Sequence, residues 1–204
     1  MFSPTVALTS QEISARFSEG PDFLEPLRDA LVRCSSSGGL RELEGDAVLI
    51  GPRPDIGALA YDVVLYPPIS FESLDAYAHL TGFSIPPTLA SMLAALNGCH
   101  FFGLNVYGVP LSMTRDPPLL DRSSRAPLEL GAGRWWRVNY SGYPEDATLF
   151  ASLNVSDEGG QVGFFLTPFG GVVGAGNGRA GAPKDYGSWP SFSRWWNWAA
   201  QLAS

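Results

Sequence analysis

The sequence predicts an α+β fold, a mixed, largely antiparallel sheet flanked by helices, on three observations. Helical stripes and short β-like runs come in blocks rather than in strict alternation. Gly (23) and Pro (17) recur often enough to end elements after a few residues. With 45% hydrophobic and 16% charged residues, 204 positions can bury a core without a metal or a disulfide framework. The expectation is one domain spanning 1–204.

The elements follow in order. Thr9 and Glu12 have capping-box spacing ahead of Ile13 and Phe17, which predicts a short first helix. Pro26, Leu27, Leu31 and Cys34 predict a second, to about Cys34, with Gly38 and Gly39 ending the region. Two strand-like runs, 47–50 and 60–66, flank GPRPDIG and predict an antiparallel pair. Ser70 suits the cap of a helix carrying Leu74, Tyr77, Ala78 and Leu80 to a stop near Gly82. Pro86 and Pro87 open the next, its stripe being Leu89, Met92, Leu93 and Leu96, and Asn97-Gly98 reads as a left-handed C-cap.

Beyond that helix the chain is β-rich: FFGLNVYGV, then WWRVNY, TLFASLNV, VGFFLTPF and GVVGA, with a long segment at 113–147 read as an insertion. Asp157-Glu158-Gly159-Gly160 reads as a hairpin turn. Ser191 suits the cap of a last helix whose Phe192, Trp195, Trp196, Ala199 and Leu202 share one face.

A net charge of −7 with only 13 Lys and Arg argues against phosphate-backbone binding, so no direct nucleic-acid partner is expected. It would favour encounter with a basic protein. The opening residues lack a basic, apolar signal pattern and no run has the length of a membrane span, so the expected location is the cytoplasm. Cys34 and Cys99 are expected as unpaired thiols there, and neither sits in a CxxC.

The stretch LDAYAHLTGFSIPPTLASMLAALNGCHFFGLNVYGV resembles the signature of the SUKH superfamily. The resemblance is carried by Leu74, Gly82, Phe83, Ile85, Pro86, Leu89, Leu93, Leu96, Asn97, Gly98, Phe101, Tyr107 and Gly108. VGFFLTP, the GGVV run and SFSRWWNWAAQL look like the family's close, so it covers about 70–202. Cys99 stands where the family commonly has a second Gly, and 1–69 is an N-terminal extension expected to share the core. The resemblance implies a binding role. Bacterial members look like immunity proteins that neutralise a cognate toxin domain, frequently a nuclease, and fungal relatives act as regulatory hubs.

The residues themselves give no catalytic constellation. His79 and His100 sit near helix ends without a positioned acid or base, and there is no nucleophile elbow, HExxH or Walker A loop. Gly176, Gly178 and Gly181 satisfy GxGxxG, but Pro183 to Tyr186 reads as loop where a dinucleotide site needs a helix. Glu145-Asp146 and Asp157-Glu158 are turn pairs expected to point into solvent. Trp195 and Trp196 belong to the core face of the last helix. Trp135 and Trp136, read in a strand, face opposite sides, which leaves one of them to be covered or to serve as an exposed anchor.

The expected function is therefore a non-enzymatic binding module without metal or cofactor, an immunity protein for a toxin domain. Its expected contact residues are Asp116, Asp121, Glu129, Trp135, Trp136, Glu145 and Asp146. A regulatory scaffold or ligand-sensing domain is the alternative, and an unrecognised hydrolase the third reading.

Overall fold

The computed structural model describes residues 11, 21–36, 40–42, 47–53, 55, 61–110, 127–140 and 142–203. Apart from Gln11, which is helical, the first predicted helix lies outside them, as do Gly38 and Gly39. Turn residues fold many of the short β-like runs back on the next one, while Tyr61–Leu65 pairs with Cys99–Phe101 across two helices and Leu104–Val106 with Thr148–Asn154 across a long segment. The result is one nine-stranded sheet in chain order. Its strands are β1 (Leu40–Glu42), β2 (Val48–Pro52), β3 (Tyr61–Leu65), β4 (Cys99–Phe101), β5 (Leu104–Val106), β6 (Thr148–Asn154), β7 (Gln161–Leu166), β8 (Val172–Gly176) and β9 (Asp185–Trp189). Every neighbouring pair is antiparallel. Among the described residues, parallel pairing is confined to an isolated bridge between Gly108 and Glu129.

The helices are α1 (Glu25–Ser36), α2 (Phe71–Thr81), α3 (Pro87–Ala95), α4 (Gly133–Trp136) and α5 (Phe192–Ala199). The architecture is α+β. Ser70 Oγ accepts from Ser73 N at 3.1 Å to start α2, and left-handed Gly82 ends it. Ser191 does the same for α5 through Arg194 N at 3.2 Å.

Strand alternation and one irregularity sort side chains between the two faces. Val63, Leu65, Phe101, Leu104 and Val106 are buried on one face, in register across β3, β4 and β5. A register shift between Leu149 and Ala151 adds Phe150 to that face, where it meets Trp195 of α5 with ring centroids 4.7 Å apart. α1 and the 3-10 turn before it, Asp22–Leu24, pack on α5, with Phe23 edge-on to Phe192 at 5.2 Å. Leu24, Leu27 and Leu31 thus join the same buried cluster as Trp195 and Trp196. The opposite face carries Asp62, His100, Asn105, Ser152 and Phe165.

Asn97 departs from the C-cap reading. α3 stops at Ala95, and Leu96 is extended. Asn97 is buried and spans to Val109: its Nδ2 donates to the Val109 carbonyl and its Oδ1 accepts the Val109 amide, each at 2.8 Å. Gly108 fits beneath it because a Cβ there would overlap the Asn97 carbonyl oxygen. Asn97 therefore ties the end of the helix pair to the chain that leaves β5, which is a long-range task that local spacing does not reveal.

Cys99 is buried on β4, and burial pushes its thiol from 9.0 up to about 12. A raised folded-state pKa gives stability that is complete below the unfolded value and declines as pH rises through the window from 9 towards 12. Relative to Cys99→Ala, the wild type should lose about 1.4 kcal/mol between pH 8 and pH 10, the free energy of ionising an unfolded thiol one unit above its pKa. Urea titrations at the two pH values check this; parallel losses in both proteins would refute it.

Candidate protein-docking surface

The chain leaves β5 through Tyr107 and Gly108 and meets the middle of the 113–147 segment. Gly108 N donates to the Leu128 carbonyl, and Leu130 N to the Gly108 carbonyl, both at 2.8 Å. By alternation Glu129 turns to the side opposite its neighbour Leu128. The buried Tyr77 hydroxyl of α2 donates to Glu129 Oε1 at 3.0 Å and accepts the Gly131 amide at 2.7 Å. Glu129 thus has an internal partner, and Leu128 is left 42% exposed.

The WWRVNY run is not a strand. Gly133 to Trp136 form α4, and Arg137 to Asn139 continue as a 3-10 turn. Aromatic and β-branched residues favour strands in general, but this backbone lies flat on β6, where a Cβ on Gly133 would stand 2.8 Å from the Leu149 carbonyl oxygen. Trp136 is 39% exposed and rests edge-on against Tyr107 with centroids 5.8 Å apart; Val138 is 71% exposed. Trp135 lies on α4, with its side chain outside the described set.

Aromatic packing and hydroxyl bonding hold this segment to the sheet. Tyr107 is hydrogen-bonded through its hydroxyl to Ser152 and Tyr140, and burial is the main reason the pKa of Tyr107 is raised and that of Tyr140 is held well above the ordinary tyrosine value. Tyr140 stands edge-on to Phe165 at 5.7 Å, and Tyr143 stacks on the same ring at 5.4 Å. Arg137 lies over Tyr143 at 5.7 Å and donates to the Glu145 carbonyl at 3.0 Å.

Of the expected contact residues, Glu145 and Asp146 are exposed in the turn after Tyr143, Trp136 is exposed on α4, and Glu129 faces Tyr77. Asp116 and Asp121 lie outside the described residues. The segment 113–147 holds five acidic and five arginine residues, so the chain's charge of −7 is carried elsewhere. Leu128, Val138, Tyr107 and Tyr140 were not among the expected contacts. Leu128 and Val138 stand out by their exposure, and Tyr107 and Tyr140 by pairings across the fold, at which only the aromatic density of the run hinted.

The other motifs lie elsewhere. His79 is exposed in the last turn of α2, and His100 on β4 has Nδ1 3.0 Å from Asn105 Oδ1. Asp157 and Glu158 are exposed in the β6–β7 turn. Gly176 ends β8 and Gly178 and Gly181 lie in the turn to β9; of the run read as loop, Pro183 and Lys184 are loop while Asp185 and Tyr186 begin β9, so the glycines meet no helix N-terminus of the kind a dinucleotide phosphate needs. No helix among the described residues is long and apolar enough to cross a membrane. What the 127–146 segment offers is apolar area held in a fixed geometry. Comparison of the chain with protein-family models, with curated proteins and with solved structures finds no match.

Proposed function

We propose that this chain is a SUKH-type partner-binding protein, an immunity protein that occupies a cognate toxin domain, and that it contacts this partner through the 127–146 segment. One observation carries the docking surface: Leu128, Trp136 and Val138 are exposed on a single short segment that is itself tied down from both ends. Exposed aromatic and aliphatic anchors on a pre-ordered backbone suit protein recognition, since little ordering entropy is lost on docking. The SUKH reading is supported by the way Asn97, Gly108 and Val109, within its signature stretch, meet in one buried clamp. Because 127–146 carries only three acidic residues against two arginines, the expected interface is centred on apolar contact, with the acidic remainder of the chain steering a basic partner.

The test is coexpression with the C-terminal domain of any large protein encoded beside this chain. Rescue from toxicity through a stable complex is the expected result. Trp136→Ala should then weaken that complex by roughly 30-fold, about 2 kcal/mol, while leaving the unfolding midpoint nearly unchanged. A toxic domain that this chain neither binds nor blocks would remove the immunity reading. Full affinity in the Trp136 variant would move the interface elsewhere.

A further inference from the structure

We infer that Tyr77 is a latch that positions the docking segment. The inference rests on the proposed docking surface for its meaning, but not for its test. Tyr77 is fully buried on α2, more than fifty residues before the segment it grips. Its single hydroxyl is used in both directions: it accepts the Gly131 amide at 2.7 Å and donates to Glu129 Oε1 at 3.0 Å. These two bonds fix the chain on either side of Leu130, which is buried and whose amide bonds to Gly108. Gly133 N, bonded to the Leu130 carbonyl at 3.1 Å, hands that order on to α4 and Trp136.

The far end of the segment is held separately by Tyr140, so the latch controls the end that enters α4. A phenylalanine at position 77 would fill nearly the same volume and keep the ring packing. It would leave the Gly131 amide without its acceptor and Glu129 without its donor. Tyr77 is on this account a positioning residue: it touches no partner, yet it sets how well ordered the partner-facing backbone is before docking.

The experiment is amide hydrogen exchange on the free full-length protein, comparing wild type with Tyr77→Phe and with Glu129→Ala. Tyr77→Phe should speed exchange at Leu130, Gly131, Gly133 and Trp136 by roughly tenfold or more, with β7 and α5 amides unchanged. Glu129→Ala removes one of the two bonds without touching the core, and should give a smaller rise at the same amides. A rise confined to this stretch in either variant supports the latch. Exchange unchanged in both, or raised equally across the sheet, overturns it. No partner enters the measurement, so its failure is separate from failure of the docking reading, which the Trp136 variant decides.

Discussion

Asn97→Ala should lower folding stability by about 3–5 kcal/mol, read as a shift of the urea midpoint at constant slope. The side chain is 1% exposed and makes both of its bonds to one residue, Val109, which is itself fully buried. Truncation removes two hydrogen bonds and also strands a backbone amide and a carbonyl away from water, each worth about 1–3 kcal/mol. Asn97→Asp separates these contributions. It keeps an acceptor for the Val109 amide but buries a carboxylate against the Val109 carbonyl, so at neutral pH it should be at least as unstable as the alanine variant. Burial would raise that carboxyl's folded-state pKa, so the neutral acid is favoured in the folded protein. Stability should therefore recover as pH falls through the raised value. A loss under 1 kcal/mol in Asn97→Ala would mean that the clamp does not hold the helix pair to the sheet.

Trp195→Ala should cost about 3–5 kcal/mol by cavity formation. Trp195 is completely buried, with Phe150, Trp196 and Phe164 centroids 4.7, 5.0 and 5.3 Å away. Its indole N–H has no hydrogen-bond partner among the described residues, and neither has that of Trp196. Trp195→Phe deletes this orphaned donor along with some volume. The two changes oppose one another, so the expected loss is below about 1.5 kcal/mol. Chemical denaturation of both variants distinguishes apolar volume from a hidden polar role: equal losses would show that the indole nitrogen matters.

These sites show where local sequence signals suffice and where they do not. α2 was legible from end to end because its start and stop are written in residues that act within one turn, Ser70 and Gly82. The β2–β3 pair and the β6–β7 hairpin were legible because turn residues flank apolar runs. β1 and β9 were not read: Leu40-Arg41-Glu42 and the DYGSW run contain too few apolar residues, and both are strands because a neighbour offers an edge to pair with. α4 was misread for the converse reason, since its aromatic residues favour a strand while its backbone sits on β6 as a helical turn. In the candidate site, Trp136 and the two turn carboxylates were picked out by residue type alone. The Tyr77 to Gly131 contact joins positions that are 54 apart and carry no shared spacing.

The order of the sheet has a consequence for how the chain closes. Each strand pairs with its neighbours along the sequence, and hairpins such as β2–β3, β4–β5 and β6–β7 bring together segments that are already close, whereas β3–β4 and β5–β6 must close over the helix pair and the long segment between them. The pairing of α1 with α5 is of another kind, because it joins the two ends of the meander in a single loop containing the whole sheet. Closure entropy grows only with the logarithm of loop length, so this last contact is a modest entropic burden. It also makes the ends interdependent. Removing 21–36 would take Phe23 off Phe192 and remove Leu24 and Leu27 from the cluster that α5 shares, so the two helices cover one another from opposite sides of the meander in sequence.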